Sequence, residues 1–179
     1  METIAVYWEP IIRTYGFNLL EKQVFCQVTL PLENLGVLGG TFQQLDDKQV
    51  GFRLAWAQAQ GRHGMKFFLL CDDGHWQYLR PSWERALGSG VDLGLRSQTI
   101  VDIVFFHGPH FGDRYGILDY TFRALVPDQI PLLAVTCSVA TIYLVVIAGR
   151  GGRLKEQLSK AFKIPTHTKS KVHSDSGAQ

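Results

Sequence analysis

The chain is short of cysteine and of net charge, and each shortage removes a class of protein. Its 179 residues include only three cysteines, Cys26, Cys71 and Cys137, an odd and widely spaced set. Each lies in an apolar run, where a free thiol behaves as a small hydrophobe, so a disulfide framework is not expected and a reducing cytoplasm is. Lys and Arg number 18 against 16 Asp and Glu, a net charge of +2. A dedicated nucleic-acid surface needs a larger basic excess, and no such partner is expected. The excess is also local, since the segment from Lys163 onward carries three Lys and one Asp. The start, Met-Glu-Thr-Ile-Ala-Val-Tyr-Trp, lacks the basic and apolar regions of a signal peptide. With 46% hydrophobic and 19% charged residues, the chain is neither disordered nor a coiled coil.

What is present in quantity is apolar sequence, and one stretch forces a choice. Ile130 to Gly149 holds 20 uncharged residues followed by Arg150, Arg153 and Lys155, long enough for a membrane span. However, it opens with Ile-Pro, is crowded with β-branched residues, and is interrupted by Thr136, Cys137, Ser138 and Thr141. Two buried strands joined by a turn read the same way.

An internal repeat decides between them. At a shift of 80 residues, Glu33–Leu45 lies on Asp113–Leu125, with Gly36/Gly116, Leu38/Leu118, Thr41/Thr121, Phe42/Phe122 and Leu45/Leu125 identical. Each copy reads strand, helix, strand, strand, helix. The first copy gives strands at Gln23–Leu30, Gly51–Gln58 and Met65–Cys71. It also gives a helix from about Glu33 and a second over His75–Leu87, with Pro81 either at its start or interrupting it. The second copy gives Thr99–Phe106, Tyr115–Leu125, Leu132–Cys137, Thr141–Ile147 and Gly152–Phe162. The apolar stretch is then two strands and no membrane partner is expected. Val91–Arg96 is a candidate fourth strand for the first copy, and Ile4–Trp8 or Ile11–Phe17 for the second. The expected organisation is an N-terminal segment 1–22, modules 23–97 and 98–165, and a disordered tail 166–179.

A duplicated βαββαβ unit suggests an α+β fold of two ferredoxin-like modules, each an antiparallel sheet with helices on one face. The motifs resemble ACT domains, most closely the paired ACT domains at the regulatory end of aspartate kinases. Such modules carry Asp-x-Pro-Gly-(Val/Ile) after the first strand and (Ile/Thr)-Phe-x-x-Leu in the following helix. Here Gly112-Asp-Arg-Tyr-Gly-Ile117 precedes Thr121-Phe-Arg-Ala-Leu125, and Pro31-Leu-Glu-Asn-Leu-Gly-Val37 is the first-copy counterpart. The usual Pro is Leu35 in one copy and Tyr115 in the other, and the usual Asp is Glu33 in the first. Residues 1–22 are too few for a kinase domain, so the resemblance implies a regulatory pair standing alone, non-catalytic and without a cofactor.

Glycine at a helix start lets backbone approach a ligand, and the first helical turn offers unpaired N–H groups and a positive dipole end to a carboxylate. An acid at Glu33 or Asp113 beside it would take an ammonium group, and together they describe an amino-acid zwitterion site. The same acids could equally be caps satisfying those N–H groups. The resemblance places the ligand between modules. It implies Asp113, Tyr115, Gly116 and Ile117 as contacts, with His110 and Phe111 flanking, Val135 and Thr136 on the neighbouring strand, and Glu33, Gly36 and Val37 in the first copy. It further implies a free amino acid as ligand, a homodimer, and a regulated enzyme in trans. The alternative is a dimerisation module that has lost its ligand. His107 and His110 with Asp113 nearby admit a metal reading, and Gly149-Arg-Gly-Gly-Arg153 resembles a phosphate-binding turn without the Walker ending. Neither outweighs a loop and a helix start.

Overall fold

The computed structural model describes residues 11–62, 64–87, 99–112 and 114–164. The first module is built from β1 (Phe17–Pro31), α1 (Leu35–Asp46), β2 (Leu54–Gln60), β3 (Gly64–Cys71) and α2 (Asp73–Leu87). The second repeats the order with β4 (Thr99–His107), α3 (Ile117–Leu125), β5 (Ala134–Ser138), β6 (Thr141–Ile147) and α4 (Gly151–Ala161). The strands form one antiparallel sheet in the order β2-β3-β1-β4-β6-β5, so the modules meet where β1 pairs with β4. This is the expected α+β architecture of paired modules with helices on one face.

The long first strand was not legible as such. It starts at Phe17 rather than Gln23 because Phe17–Leu20 pair with Ile103–Phe106 of the other module. Between Leu20 and Gln23 the register slips by one residue, and Lys22 adopts a left-handed conformation with φ 53°. A one-residue bulge reverses the side-chain alternation. As a result Phe17 and Leu19 point to the same face of the sheet as Val24, Cys26, Val28 and Leu30, and both halves of β1 feed the helix side. Lys22 and Asp102 are repeat mates, and they meet at this crossing: the Lys22 N–H donates to Asp102 Oδ1 at 3.1 Å. The bulge therefore marks the pseudo-two-fold axis of the duplication.

Two cores lie under the helices. In the first module Leu45 of α1 and Trp76 and Leu79 of α2 close over Val24, Cys26, Val28 and Leu69. In the second, Ile117, Leu125, Leu154 and Leu158 close over Val104, Phe106, Leu144 and Val146. The apolar stretch Ile130–Gly149 is β5, a turn at Val139–Ala140, and β6. Among the described residues no helix is long and apolar enough to cross a membrane.

Several boundaries differ from expectation. Glu33 falls in a single 3-10 turn, Leu32–Asn34, and α1 starts only at Leu35. β2 starts at Leu54, although the Arg53 N–H still donates to the Leu70 carbonyl at 2.7 Å. Pro81 neither begins nor breaks α2 but sits inside it, and the Ser82 hydroxyl donates to the Tyr78 carbonyl at 3.1 Å beside the missing amide. Ile11–Gly16 supply no fourth strand to the second module. They form one parallel bridge, Arg13 with Lys163, and the place beside β4 is taken by the first half of β1. Ile4–Trp8, Val91–Arg96 and the tail 166–179 lie outside the described residues.

Candidate functional site at the start of α3

After His107 the chain leaves the sheet through Gly108-Pro109-His110. Gly108 is fixed by crowding: a Cβ there would collide with the Arg13 carbonyl oxygen and lie 2.5 Å from Phe111 Cε1. Phe111 turns back into the core and meets Phe106 edge-on at 5.8 Å. His110 takes φ 61° to allow this reversal. Gly116 then caps α3 in a left-handed conformation, φ 82°, with open space where a Cβ would stand. Its carbonyl accepts the Tyr120 N–H at 2.9 Å, and the buried Ile117 anchors the first turn. The N–H groups of that turn and the positive end of the helix dipole are directed at the loop.

The register of the sheet brings a second wall to the same place. His107 pairs with Thr141, so the β5–β6 hairpin ends beside the loop that follows β4. Between them is a pocket of 240 Å3. One side is formed by Phe111, Arg114, Tyr115, Gly116, Ile117 and Leu118, the other by Cys137 and Val139–Ile142. The walls are mainly apolar, with Arg114 and the Thr141 hydroxyl as polar groups. Tyr115 and Val139 stand fully exposed beside it, at 99% and 93% of their accessible surface. Val139 is also a β-branched residue at φ 37°, a conformation costly for its type.

Of the residues singled out in the sequence, Phe111, Tyr115, Gly116 and Ile117 line this pocket together. His110 precedes it on the surface, and Asp113 lies outside the described residues. Val135 and Thr136 do not reach it. Val135 packs into the helix-side core, and Thr136 pairs with Tyr143 on the opposite face of the sheet. The first-copy residues are elsewhere: Glu33 is exposed in its 3-10 turn and Gly36 lies inside α1. The Val37 side chain is outside the described residues. The first copy steps from strand to helix through one tight turn, which leaves no loop comparable to 108–116. The hairpin itself was expected, but its role as a wall, Cys137 to Ile142, was missed because only the β4–β6 register brings it beside the loop after β4.

The other constellations find structural uses. Asp102, 1% exposed on β4, accepts the Gly149 N–H at 2.7 Å and the Gly151 N–H at 3.0 Å in addition to that of Lys22. The phosphate-like turn before α4 thus already holds an anion, the protein's own carboxylate. In the first module Asp72 does the same for α2 from its own loop, accepting the His75 N–H at 2.8 Å. Burial pushes the thiols of Cys26 and Cys71 up to about 12, which keeps both protonated and inert. The His107 ring packs against Tyr15 at 5.4 Å, and the described residues hold no group of three metal-ligating side chains.

Solved structures of aspartate kinases and their regulatory subunits share this fold. The ligand-free regulatory subunit of aspartate kinase from Thermus thermophilus superposes with a TM-score of 0.67 at 13% identity, covering 84% of this chain and 99% of that one. The chain has the fold of an aspartate kinase regulatory subunit. Aspartate kinase from Synechocystis matches with a TM-score of 0.68 at 16% identity, over 86% of this chain but 27% of that one. Escherichia coli aspartokinase III in complex with lysine and aspartate matches with a TM-score of 0.51 at 15% identity, over 88% of this chain and 35% of that one. No protein-family model matches the chain, and no curated protein matches it.

Proposed function

We propose that the chain is a non-catalytic regulatory protein that binds a free amino acid at the start of α3 and responds by ligand-dependent allostery. The observation that carries the reading is the 240 Å3 pocket between the Gly116 cap and the β5–β6 hairpin, on a fold shared with aspartate kinase regulatory subunits. A carboxylate would lie against the first-turn N–H groups of α3, where Gly116 leaves room, and Asp113 would take the ammonium group. The apolar walls would receive the side chain. Modules 23–97 and 98–165 would act as a unit within a cytoplasmic homodimer, and binding would shift the population between two arrangements of it. The regulated enzyme would be supplied in trans. A second reading, a dimerisation module without ligand, draws on Tyr115 and Val139, whose full exposure suits contact with another protein.

A thermal-shift screen against the twenty amino acids separates the two. A ligand at a hundred times its Kd stabilises by about 2.7 kcal/mol, or roughly 5–10 °C in a chain of this size. The sensor requires a selective shift that Asp113→Ala abolishes while the fold survives. Silence across the panel from a folded protein leaves the dimerisation module.

A further inference from the structure

The pocket at the start of α3 has a floor and a rim of different character. The floor is Phe111, Ile117 and Ile142, each buried and all part of the helix-side core of the second module. The half-buried Leu118 of α3 and Ala140 of the β5–β6 turn pack against that core and form the lower walls. The rim is Tyr115, Cys137 and Val139, all exposed. Among the described lining residues there is no carboxylate, and the one charged side chain is Arg114. Asp119, the acid in the first turn of α3, is exposed and paired with Arg123 at 2.9 Å. At 240 Å3 the pocket is smaller than the roughly 300–1,000 Å3 that drug-sized ligands occupy, a size for one amino acid rather than a nucleotide.

We propose that this pocket selects an amino acid with an uncharged aliphatic side chain, such as methionine or leucine, and rejects lysine. The inference rests on the amino-acid reading above and adds the class of ligand to it. With the α-carboxylate at Gly116 and the α-ammonium group taken by Asp113, the ligand side chain is left with the floor of Phe111, Ile117 and Ile142. There it gains in proportion to the apolar area it removes from water, so each methylene counts and alanine leaves part of the floor uncovered. Lysine has a stem about as long as that of methionine but ends in an ammonium group. On this floor that group would lose its water and meet no carboxylate among the described lining residues. It would also share the pocket with the Arg114 guanidinium, so desolvation and like charge both oppose it. Arg114 makes glutamate the rival, yet its carboxylate would face the same desolvation on that floor.

The test is calorimetric titration of the full chain with methionine, leucine, alanine, lysine and glutamate, together with the rate at which iodoacetamide alkylates Cys137. Cys137 lines the pocket, whereas Cys26 and Cys71 are buried in the first module and serve as unreactive controls. Methionine and leucine should bind at least about tenfold more tightly than alanine or lysine, and both should slow the alkylation. Ala140→Asp adds a carboxylate to the half-buried wall and should narrow the preference for methionine over lysine at least about tenfold. If that variant does not fold, the alkylation rates of the wild type still decide. Preferential binding and protection by lysine or glutamate, or an unchanged preference in a folded Ala140→Asp protein, overturns the aliphatic class while the amino-acid sensor stands. Binding of methionine or leucine that leaves the Cys137 rate unchanged overturns the pocket as the place of selection. Silence from these five ligands overturns the class, and only silence across all twenty amino acids overturns the sensor with it.

Discussion

Replacing Asp102 by Ala should be among the most damaging single changes in the chain, because one carboxylate serves three backbone donors at the junction of the modules. Its oxygens accept N–H groups from Lys22 at 3.1 Å, Gly149 at 2.7 Å and Gly151 at 3.0 Å. Alanine would orphan all three and remove a negative charge from the start of α4. An unpaired buried donor costs about 1–3 kcal/mol, and the helix-end charge about 0.3–1 kcal/mol. Against this stands the relief of desolvating a carboxylate, which repays part of the loss. Since the Gly151 N–H is buried and the other two only partly, the net loss should be about 3 kcal/mol, or roughly 6–12 °C in Tm. Asn can keep the pair of bonds at one oxygen but turns an amide N–H2 toward the remaining donor, so Asp102→Asn should lose about half as much. Guanidinium denaturation of the three proteins gives the order, and amide exchange at residues 22, 149 and 151 gives the place. An Ala variant within about 0.5 kcal/mol of wild type, with those amides still protected, would refute the reasoning.

The parts of the fold that could be read in advance were those with local or repeated signals. The helical spacing of Val37, Leu38, Phe42 and Leu45, the alternation over Gly51–Gln58, and the shift-by-80 identities placed ten elements in the right order. What could not be read depended on partners far away in sequence. Phe17–Leu20 have adjacent apolar residues with no clean alternation, and they become strand only because β4 lies beside them. Lys22 looks like an ordinary surface lysine, yet its backbone forms the bulge that keeps both halves of β1 facing the helices. Half of the pocket was legible, since glycine before a helical run marks a close approach. The hairpin half depends on the β4–β6 register, which no short motif encodes. The divergence of the two copies has the same origin: Gly36 and Gly116 align in sequence, but only Gly116 needs φ above zero.

Two further predictions test chemistry away from the junction. Cys26 and Cys71 have folded pKa values near 12 against an ordinary value near 9, so the unfolded chain loses those protons first as pH rises. Their contribution is fully present below pH 9 and is lost between about 9 and 12, at about 1.4 kcal/mol per unit for each thiol. Denaturation midpoints in that range should therefore fall less steeply in a Cys26→Ala/Cys71→Ala protein, and parallel curves would contradict the assigned burial. At pH 8 a thiol reagent should modify the exposed Cys137 in the folded protein, at a rate slowed by the partial burial that raises its pKa, and the other two only after unfolding. Val139→Gly tests the pocket's outer wall. Valine at φ 37° pays a backbone penalty of about 1 kcal/mol that glycine avoids, and at 93% exposure it has little burial to forfeit. The variant should be more stable by up to that amount. If it also loses the amino-acid response, then the strained, exposed valine is kept for what it contacts. If instead stability falls, Val139 is held by contacts that outweigh its backbone strain.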